Sequence, residues 1–377
     1  MLPFIDLKAQ QDRIRQEVEQ RILAVLDHGK YIMGPEVAEL ERRLAEFTGV
    51  KHAIGCSSGT DALLLSLMAH GVGPGDAVFT TPFTFIATAE VVSLLGATPV
   101  FVDIDPDTYN IDPASLQQTV DTLGSHDRFK NLTARGIIGV DLFGLPADYE
   151  SLGAIAEDYG LFVLEDAAQS FGASTNGRRA GNLAHSAATS FFPAKPLGGY
   201  GDGGAVFTSD DEFADAMRSI RIHGKGADKY DNVRVGLNAR LDTLQAAILL
   251  PKLDIFEEEI ELRGHVAGRY NELLGAVDGV AVPEIPKGNI SAWAQYTIRV
   301  PERDHVQAAL KDAGVPTAIY YPKPLHLQTA YASLGYVEGD FPVSEQAARE
   351  VLSLPMHPYL SEKDQDTIAH AVKAALS

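Results

Sequence analysis

The stretch Ser190-Phe-Phe-Pro-Ala-Lys195-Pro-Leu-Gly-Gly-Tyr-Gly-Asp-Gly-Gly204 places a lysine between two prolines, after two aromatic residues and before a glycine-rich run. A run so rich in glycine cannot be a stable helix, so Lys195 is predicted to lie on a rigid turn. A lysine held near apolar groups can lose its proton and act as an amine nucleophile. A surface lysine in a glycine-rich loop explains this segment alone about equally well. A dinucleotide-binding loop does not, because the segment leads into a strand rather than a helix.

Two other segments could complete a site around this lysine. Leu161-Phe-Val-Leu-Glu-Asp166-Ala-Ala-Gln169 is predicted to be a buried strand that ends in carboxylates. Open α/β sheets bind ligands at this end of their strands, where Asp166 could keep a proton on a pyridine nitrogen. Gly55-Cys-Ser-Ser-Gly59-Thr60-Asp61 runs from a strand into a helix, whose free N–H groups could hold a phosphate. Helix capping without any ligand explains each of these two segments on its own.

Strand-like and helix-like segments alternate through the first two thirds of the chain. Short apolar or β-branched runs predict strands at residues 52–56, 77–80, 99–103, 136–140, 161–164, 187–192 and 205–208. Helix-length segments separate most of them, which is typical of parallel strands joined by crossover helices. The sequence therefore predicts an α/β fold with a mostly parallel, doubly wound sheet.

The pattern changes after Gly236. Residues 241–274 are mostly helical in pattern, and Pro251 is predicted to kink this helix or split it in two. We therefore predict a large domain over residues 1–250 and a smaller α+β domain over 251–377. In the smaller domain, the pattern predicts strands at 295–300 and 317–321 and helices at 306–313, 344–352 and 362–376.

The composition limits the possible partners. The 377 residues include 31 Lys plus Arg against 51 Asp plus Glu, a net charge of −20, which argues against nucleic acid or an anionic membrane as the main partner. The single cysteine, Cys56, and the lack of metal-ligand spacing suit a reducing cytoplasm and predict no metal site. Neither a signal peptide nor an apolar run of about 20 residues is present, so we expect a cytoplasmic protein.

One segment departs from this acidic average. From Arg218 to Arg240 the chain has six basic and two acidic residues. With Gly224 and Gly226 in it, this segment could be a flexible basic loop that accepts a diphosphate. A solvated charged loop is an equally good interpretation.

In chain order, the helix start at Gly59 is followed by Thr81-Pro-Phe-Thr-Phe85, then by Asp166, and last by Ser190 and Lys195. This order resembles that of the DegT/DnrJ/StrS sugar aminotransferases. The resemblance extends from Ile5-Asp-Leu to Leu354-Pro-Met-His-Pro. It implies fold type I of the pyridoxal 5'-phosphate (PLP) enzymes and a homodimer with shared active sites. It also implies that Lys195 holds PLP and shuttles protons, and that Asp166 pairs with the pyridine nitrogen of the cofactor. By the same resemblance, Gln169 lies near the phenolic oxygen of PLP and Phe85 stacks on its ring. The phosphate is expected to be bound by Gly59, Thr60 and Ser190, and by Asn238 of the partner subunit.

Within that family, Leu241-Asp-Thr-Leu-Gln-Ala-Ala resembles members that act on UDP-linked 3-keto-glucuronic acid derivatives. This implies that glutamate donates an amino group to C3 of UDP-2-acetamido-2-deoxy-3-oxo-glucuronate, for a surface polysaccharide such as the O-antigen of lipopolysaccharide. Arg240 stands where such members hold the sugar carboxylate, although many relatives that aminate uncharged sugars also carry an arginine there. Tyr320 stands where some uronate-acting relatives have a histidine, and His326 is a third candidate for substrate binding.

Four alternatives remain beside this prediction. The substrate could be another dTDP-, UDP- or GDP-linked keto-sugar, aminated at C3 or C4. A PLP sugar dehydratase of the same fold is disfavoured because those enzymes replace the lysine with histidine. A non-catalytic regulatory protein is disfavoured because each expected catalytic position is filled. A nicotinamide-dependent oxidoreductase is disfavoured because no early strand leads through a glycine-rich turn into its helix.

Overall fold

The computed structural model describes residues 2–228 and 230–376. Helices and strands alternate along most of this chain, as the sequence predicts. The helices are α1 (Leu7–His28), α2 (Pro35–Thr48), α3 (Gly59–Ala69), α4 (Ala87–Leu94), α5 (Pro113–Thr122), α6 (Tyr149–Tyr159), α7 (Asp211–Ile220), α8 (Thr243–Asp254), α9 (Phe256–Leu274), α10 (Arg303–Asp312), α11 (Pro342–Glu350) and α12 (Glu362–Ala375). The strands are β1 (His52–Cys56), β2 (Asp76–Thr80), β3 (Thr98–Phe101), β4 (Thr133–Val140), β5 (Phe162–Asp166), β6 (Ser174–Thr175), β7 (Arg178–Arg179), β8 (Ser186–Ser190), β9 (Gly204–Thr208), β10 (Asn289–Ile290), β11 (Tyr296–Arg299) and β12 (Val351–Leu354).

A seven-stranded sheet with the order β1-β9-β8-β5-β4-β2-β3 forms the centre of the larger part. The pairs from β8 to β3 are parallel, whereas β9 is antiparallel to both β8 and β1. A parallel neighbour needs a long crossover, but the connection from β8 to β9 has no helix and returns directly beside β8. The predicted mostly parallel sheet is confirmed, and the lysine-containing stretch is the connection that reverses the chain.

Apolar side chains are buried on both faces of this sheet. On one face, Leu40 of α2 and Leu249 of α8 belong to a cluster with Ile137 of β4. On the other face, Leu65 of α3 packs in a cluster with Ile138 of the same strand. Neighbouring residues of one strand thus face opposite layers of helices, as a doubly wound sheet requires.

The C-terminal part differs from the prediction in two places. Residues 317–321 are not a strand, because only Ala318 forms a bridge, to Ser353, before the chain leaves the sheet. The helix predicted over 344–352 ends at Glu350, and Val351–Leu354 is instead a fully buried strand, β12, antiparallel to β11. The apolar residues of a short buried strand that directly follows a helix can continue the helical period, so the pattern alone does not distinguish such a strand from the end of the helix.

Pro251 lies inside α8, and the predicted split of the long helix occurs further on, at Ile255. The boundary expected at residue 250 would therefore cut α8, and we propose Ile255 as the division instead. At the other end of the chain, Met356 N–H donates to the Phe4 carbonyl (3.2 Å), so the N-terminal segment contacts the smaller part.

Within residues 2–228 and 230–376, no helix is both long and apolar enough to cross a membrane. The same part of the chain holds no group of three or more His, Cys, Asp or Glu side chains placed to share one metal ion.

Candidate active site

A cavity of about 440 Å³ lies between the sheet and the smaller part of the molecule. Lys195 and Asp166 lie on its wall, close to the carboxyl ends of β5 and β8. Eight residues predicted from the sequence line this cavity: Gly59, Thr60, Phe85, Asp166, Gln169, Ser190, Lys195 and Tyr320. Its size suits a cofactor-sized molecule.

Asp166, the last residue of β5, is 6% exposed. Its Oδ2 accepts a hydrogen bond from Thr88 Oγ1 (2.9 Å), and Thr88 is in turn paired with Thr84 (3.1 Å). Burial raises the pKa of the Asp166 carboxyl, while the Thr88 bond, the Ala168 N–H and the charge of Lys195 act in the opposite direction. Neither threonine was predicted as a site residue. Their i, i+4 spacing beside Phe85, which places both on one side of a helical turn, could have indicated them.

Lys195 lies on the connection between β8 and β9, as predicted. Its backbone N–H donates to the Phe192 carbonyl (2.9 Å), which closes the turn that carries it. Burial lowers the pKa of the Lys195 amine, and the nearby Asp166 carboxylate offsets part of that effect. A lowered pKa makes more of the amine available as a nucleophile or base near neutral pH.

The start of α3 forms a cradle with free backbone N–H groups. Ser58 caps the helix, its Oγ accepting from Asp61 N–H (3.0 Å), and Gly59 and Thr60 follow in the first turn. A Cβ added to Gly59 would lie 2.6 Å from the Cβ of Ser190, so only glycine allows α3 to approach β8 this closely. The positive end of a helix dipole with unpaired donors suits a phosphate group.

The opposite part of the cavity is lined by the amide of Gln169 and by the aromatic rings of Phe85 and Tyr321. Gln169 Oε1 accepts from Phe143 N–H (2.7 Å), and its Nε2 donates to the Tyr321 hydroxyl (3.3 Å). Phe85 is 55% exposed at the cavity, with its ring centroid 6.4 Å from that of Tyr321. These side chains give a flat ring an aromatic neighbour and a fixed amide.

Three of the predicted residues do not line this cavity. Asn238 is exposed, and Arg240 is half-buried with a buried Nε for which no hydrogen-bond partner is found among the described residues. His326 has a fully buried side chain that pairs with Glu345 (Nε2 to Oε1, 3.0 Å). Since a substrate contact would require His326 to leave this core, we withdraw it as a substrate-binding residue.

The basic segment is only partly available to a ligand. Arg221 is 5% exposed and donates to Glu41 (2.5 Å) and to the Gly55 carbonyl (2.7 Å), beneath the cradle. Arg218 pairs with Asp215 (3.0 Å). Lys225 and Arg234 are exposed, whereas Lys229 lies outside the described residues. Any diphosphate contact from this segment therefore has fewer basic groups than the sequence indicated.

The sequence profile of the DegT/DnrJ/EryC1/StrS aminotransferase family matches residues 12–373. The chain belongs to this family. The resemblance inferred from the motifs and the predicted fold are both confirmed, as is the prediction of an aminotransferase.

Individual members of this aminotransferase family match over nearly the full length. UDP-2-acetamido-2-deoxy-3-oxo-D-glucuronate aminotransferase from Pseudomonas aeruginosa is 56% identical over 360 residues, which cover 96% of each chain. A crystal structure of a family member from Brucella abortus has a TM-score of 0.95, 54% identity and 99% coverage of both chains. The NtdA structure from Bacillus subtilis, with bound cofactor PMP, has a TM-score of 0.88 and 29% identity, and covers 99% of this chain and 83% of its own.

The cavity of this aminotransferase fits the predicted cofactor, PLP. When bound, PLP supplies an electron sink for the amino carbon of the substrate. Lys195 would hold its aldehyde carbon, Asp166 its ring nitrogen, and the α3 cradle with Ser190 its phosphate. The missing Cβ of Gly59, the half-buried Lys195 and the buried Asp166 on one cavity wall are the structural features that carry this fit.

Proposed function

We propose that this chain transfers the amino group of L-glutamate to C3 of UDP-2-acetamido-2-deoxy-3-oxo-glucuronate, with PLP as cofactor. The half-buried Lys195 and the buried Asp166 on one cavity wall carry the proposal, in a chain 56% identical to the Pseudomonas aeruginosa aminotransferase named for that sugar. An aminotransferase for another nucleotide-linked keto-sugar is the alternative, because the cavity residues described above, apart from Tyr320, would serve the amino transfer rather than the choice of sugar.

Asp166 and Lys195 would divide the proton chemistry of the reaction between them. Asp166, as a carboxylate, would hold a proton on the ring nitrogen of the cofactor and so keep that ring electron-poor. Once the amino group of glutamate has replaced it at the cofactor, Lys195 Nζ would take the α-proton of glutamate and move it to C4′ of the cofactor. In the second half of the reaction, with the sugar ketone in place of the keto acid, Lys195 would move the proton in the opposite direction as the sugar is aminated.

Arg240 and Tyr320 are the proposed contacts for the sugar. Tyr320 lines the cavity directly. The buried Nε of Arg240 without a partner among the described residues supports a role for its guanidinium in binding a carboxylate, since a planar fork can donate two parallel bonds. Arg240 lies outside the cavity of its own chain, so this contact fits best with a partner subunit present.

We further propose a homodimer in which Asn238 completes the partner's phosphate site. Exposed apolar side chains lie nearby in the fold: Tyr31 (48% exposed), Ile32 (48%) and Met33 (40%) follow α1, and Ile32 bridges to Asp242. A second copy that covers this patch would bury it and bring Asn238 to a neighbouring cavity. The cytoplasm, where nucleotide sugars are used for surface polysaccharides such as O-antigen, is the proposed location.

A substrate panel tests this function. The purified protein, supplied with PLP and glutamate, is incubated with three kinds of sugar, and the amino sugars are quantified by mass spectrometry. The sugars are UDP-2-acetamido-2-deoxy-3-oxo-glucuronate, the matching 3-keto sugar without a carboxylate (UDP-2-acetamido-2-deoxy-3-oxo-glucose), and dTDP-linked keto-sugars. The highest kcat/KM is expected for the uronate. A higher value for an uncharged sugar would favour the alternative, and no product from any sugar, with Lys195→Ala and wild type indistinguishable, would favour a non-catalytic protein.

A further inference from the structure

The back of the lysine-bearing turn rests on two side chains of α8. Gln245 and Lys252 lie seven residues, or about two helical turns, apart and so share one face of the helix. Gln245 Oε1 accepts from Tyr200 N–H (2.9 Å). Lys252 Nζ donates to the Gly198 carbonyl (2.7 Å) and lies 4.3 Å from the centroid of the Tyr200 ring.

The turn itself is closed by hydrogen bonds that hold its two ends in contact. Gly199 N–H donates to the Phe191 carbonyl (2.7 Å), outside the shorter bond from Lys195 to Phe192. A Cβ added to Gly198 would lie 2.4 Å from the Pro193 carbonyl oxygen. A displacement of Gly198 is therefore transmitted to Pro193, and with it to Lys195 between them.

A lysine is a costly residue at this position. Lys252 is 1% exposed, and burial lowers the pKa of its amine to about 8, with the charge of Glu259 opposing that shift. An apolar side chain of similar length would avoid this cost and is often neutral or stabilising in such a place. What the hydrocarbon cannot do is donate a hydrogen bond to the Gly198 carbonyl.

We propose that Lys252 is a positioning residue for Lys195, which fixes the lysine-bearing turn through the Gly198 carbonyl. The inference rests on the proposed function, because Lys195 is taken as the reacting amine. Misplacing a reacting group by about 1 Å can cost on the order of 100-fold in rate. Loss of the Lys252 hydrogen bond should accordingly lower kcat and leave the KM for glutamate nearly unchanged.

Two replacements separate positioning from packing. Lys252→Met fills the space without a donor, whereas Lys252→Gln keeps an N–H donor but buries a polar amide. If Lys252 positions the turn, kcat falls about 10- to 100-fold in Lys252→Met and less in Lys252→Gln. This order is expected even though Lys252→Met should have the higher melting temperature of the two variants. If activity instead follows melting temperature, or Lys252→Met keeps wild-type kcat, the inference is wrong.

Hydrogen exchange provides a readout that does not depend on activity. The amides of Lys195 and Gly199 are expected to exchange at least tenfold faster in Lys252→Met than in wild type, with Lys252→Gln intermediate. Val266→Ala, which opens a small cavity in the core of the smaller part, is the matched control and should leave these two amides unchanged. Unchanged exchange in Lys252→Met would overturn the inference.

The two proposals fail in different ways. If wild type aminates no sugar in the panel, the proposed function fails, yet faster exchange at Lys195 would still support the structural role of Lys252. If wild type is active and Lys252→Met matches it in kcat and exchange, only the inference about Lys252 fails.

Discussion

Asp166 shows how one buried side chain combines opposing effects. Burial alone would favour its neutral form, but the Thr88 hydroxyl, the Ala168 N–H and Lys195 stabilise its charge. Asp166→Asn keeps the size of the side chain and removes that charge. We expect kcat to fall by about 10² to 10⁴, the usual range for loss of a group that controls a proton.

The measurement for Asp166→Asn has two parts. Steady-state kinetics give kcat, and PLP content after dialysis reports whether the cradle still binds the cofactor. Bound PLP with low kcat is the expected combination. Retention of more than half of the wild-type kcat would contradict a role for the Asp166 charge.

His70 determines part of the acid sensitivity of the fold. Its ring stacks on Phe162 (4.0 Å between centroids, 6° between planes), and burial lowers its pKa from the ordinary 6.5 to about 3. Between pH 6.5 and 3 the unfolded chain therefore binds a proton that the folded chain does not. The free energy of unfolding should consequently decrease as pH falls through this window, by up to about 1.4 kcal/mol per pH unit.

Urea unfolding at pH 7 and pH 5 tests this effect of His70. The loss of stability between the two pH values should be about 2 kcal/mol smaller in His70→Gln than in wild type. His305→Gln changes an exposed histidine of α10 and is the control. Equal pH dependence in His70→Gln and wild type would show that another group is responsible.

At the scale of residues, the sequence was informative where a role depends on a local string. Lys195 between prolines and Asp166 at a strand end were predicted from such strings, and both line the cavity. Thr88 and Lys252 were not, because their partners, Asp166 and Gly198, are distant in sequence. The interior position of His326 was not predicted for the same reason, since it packs against the later residues Phe341 and Glu345.

At the scale of elements, the close contact between α3 and β8 defines the cradle. A Cβ on Gly59 would come within 3.1 Å of the Ser190 backbone as well as its side chain. Gly59→Ala should push the two elements apart and lower PLP affinity at least about tenfold, since helix N–H groups hold phosphate only at hydrogen-bond distance.

Equilibrium binding of PLP, followed by fluorescence, measures the effect of Gly59→Ala. Gly153→Ala is a matched control in α6, where nothing lies within 4 Å of the added Cβ. It should bind PLP normally and be more stable by about 0.5–1 kcal/mol, because alanine loses less entropy in a helix. Normal affinity in Gly59→Ala would mean that the cradle is not the phosphate site.

Helices and strands with a clear apolar period were predicted at nearly the observed positions. The ends of elements, and short segments whose structure depends on distant neighbours, were not predicted correctly. The strands of the parallel sheet follow apolar runs, so their positions were close to those observed. The strand Val351–Leu354 was missed because it continues directly from α11 with no glycine or other breaker between them. Residues 317–321 were wrongly predicted as a strand because two tyrosines that serve the cavity also have high strand propensity.

At the scale of the whole molecule, the acidic average conceals an uneven surface. The net charge of −20 coexists with a basic segment around Arg218 to Arg240, part of which is internal structure, as the buried pair of Arg221 with Glu41 demonstrates. The exposed Lys225 and Arg234 belong to the same segment as Asn238, and Asp242, just beyond that segment, bridges to Ile32 of the apolar patch after α1. We infer that a second copy meets the molecule at this face, because it would bury the exposed side chains of Tyr31, Ile32 and Met33.

Mixed dimers test whether Asn238 serves the partner's site. Lys195→Ala and Asn238→Ala subunits, each with little activity alone, are mixed, unfolded together and refolded. If Asn238 acts across the interface, each mixed dimer contains one site with both residues intact and one site with neither. Random pairing makes about half of the dimers mixed, so activity should recover to roughly a quarter of wild type. If Asn238 serves its own chain, every site in a mixed dimer lacks one residue, and activity stays at the mean of the two parents.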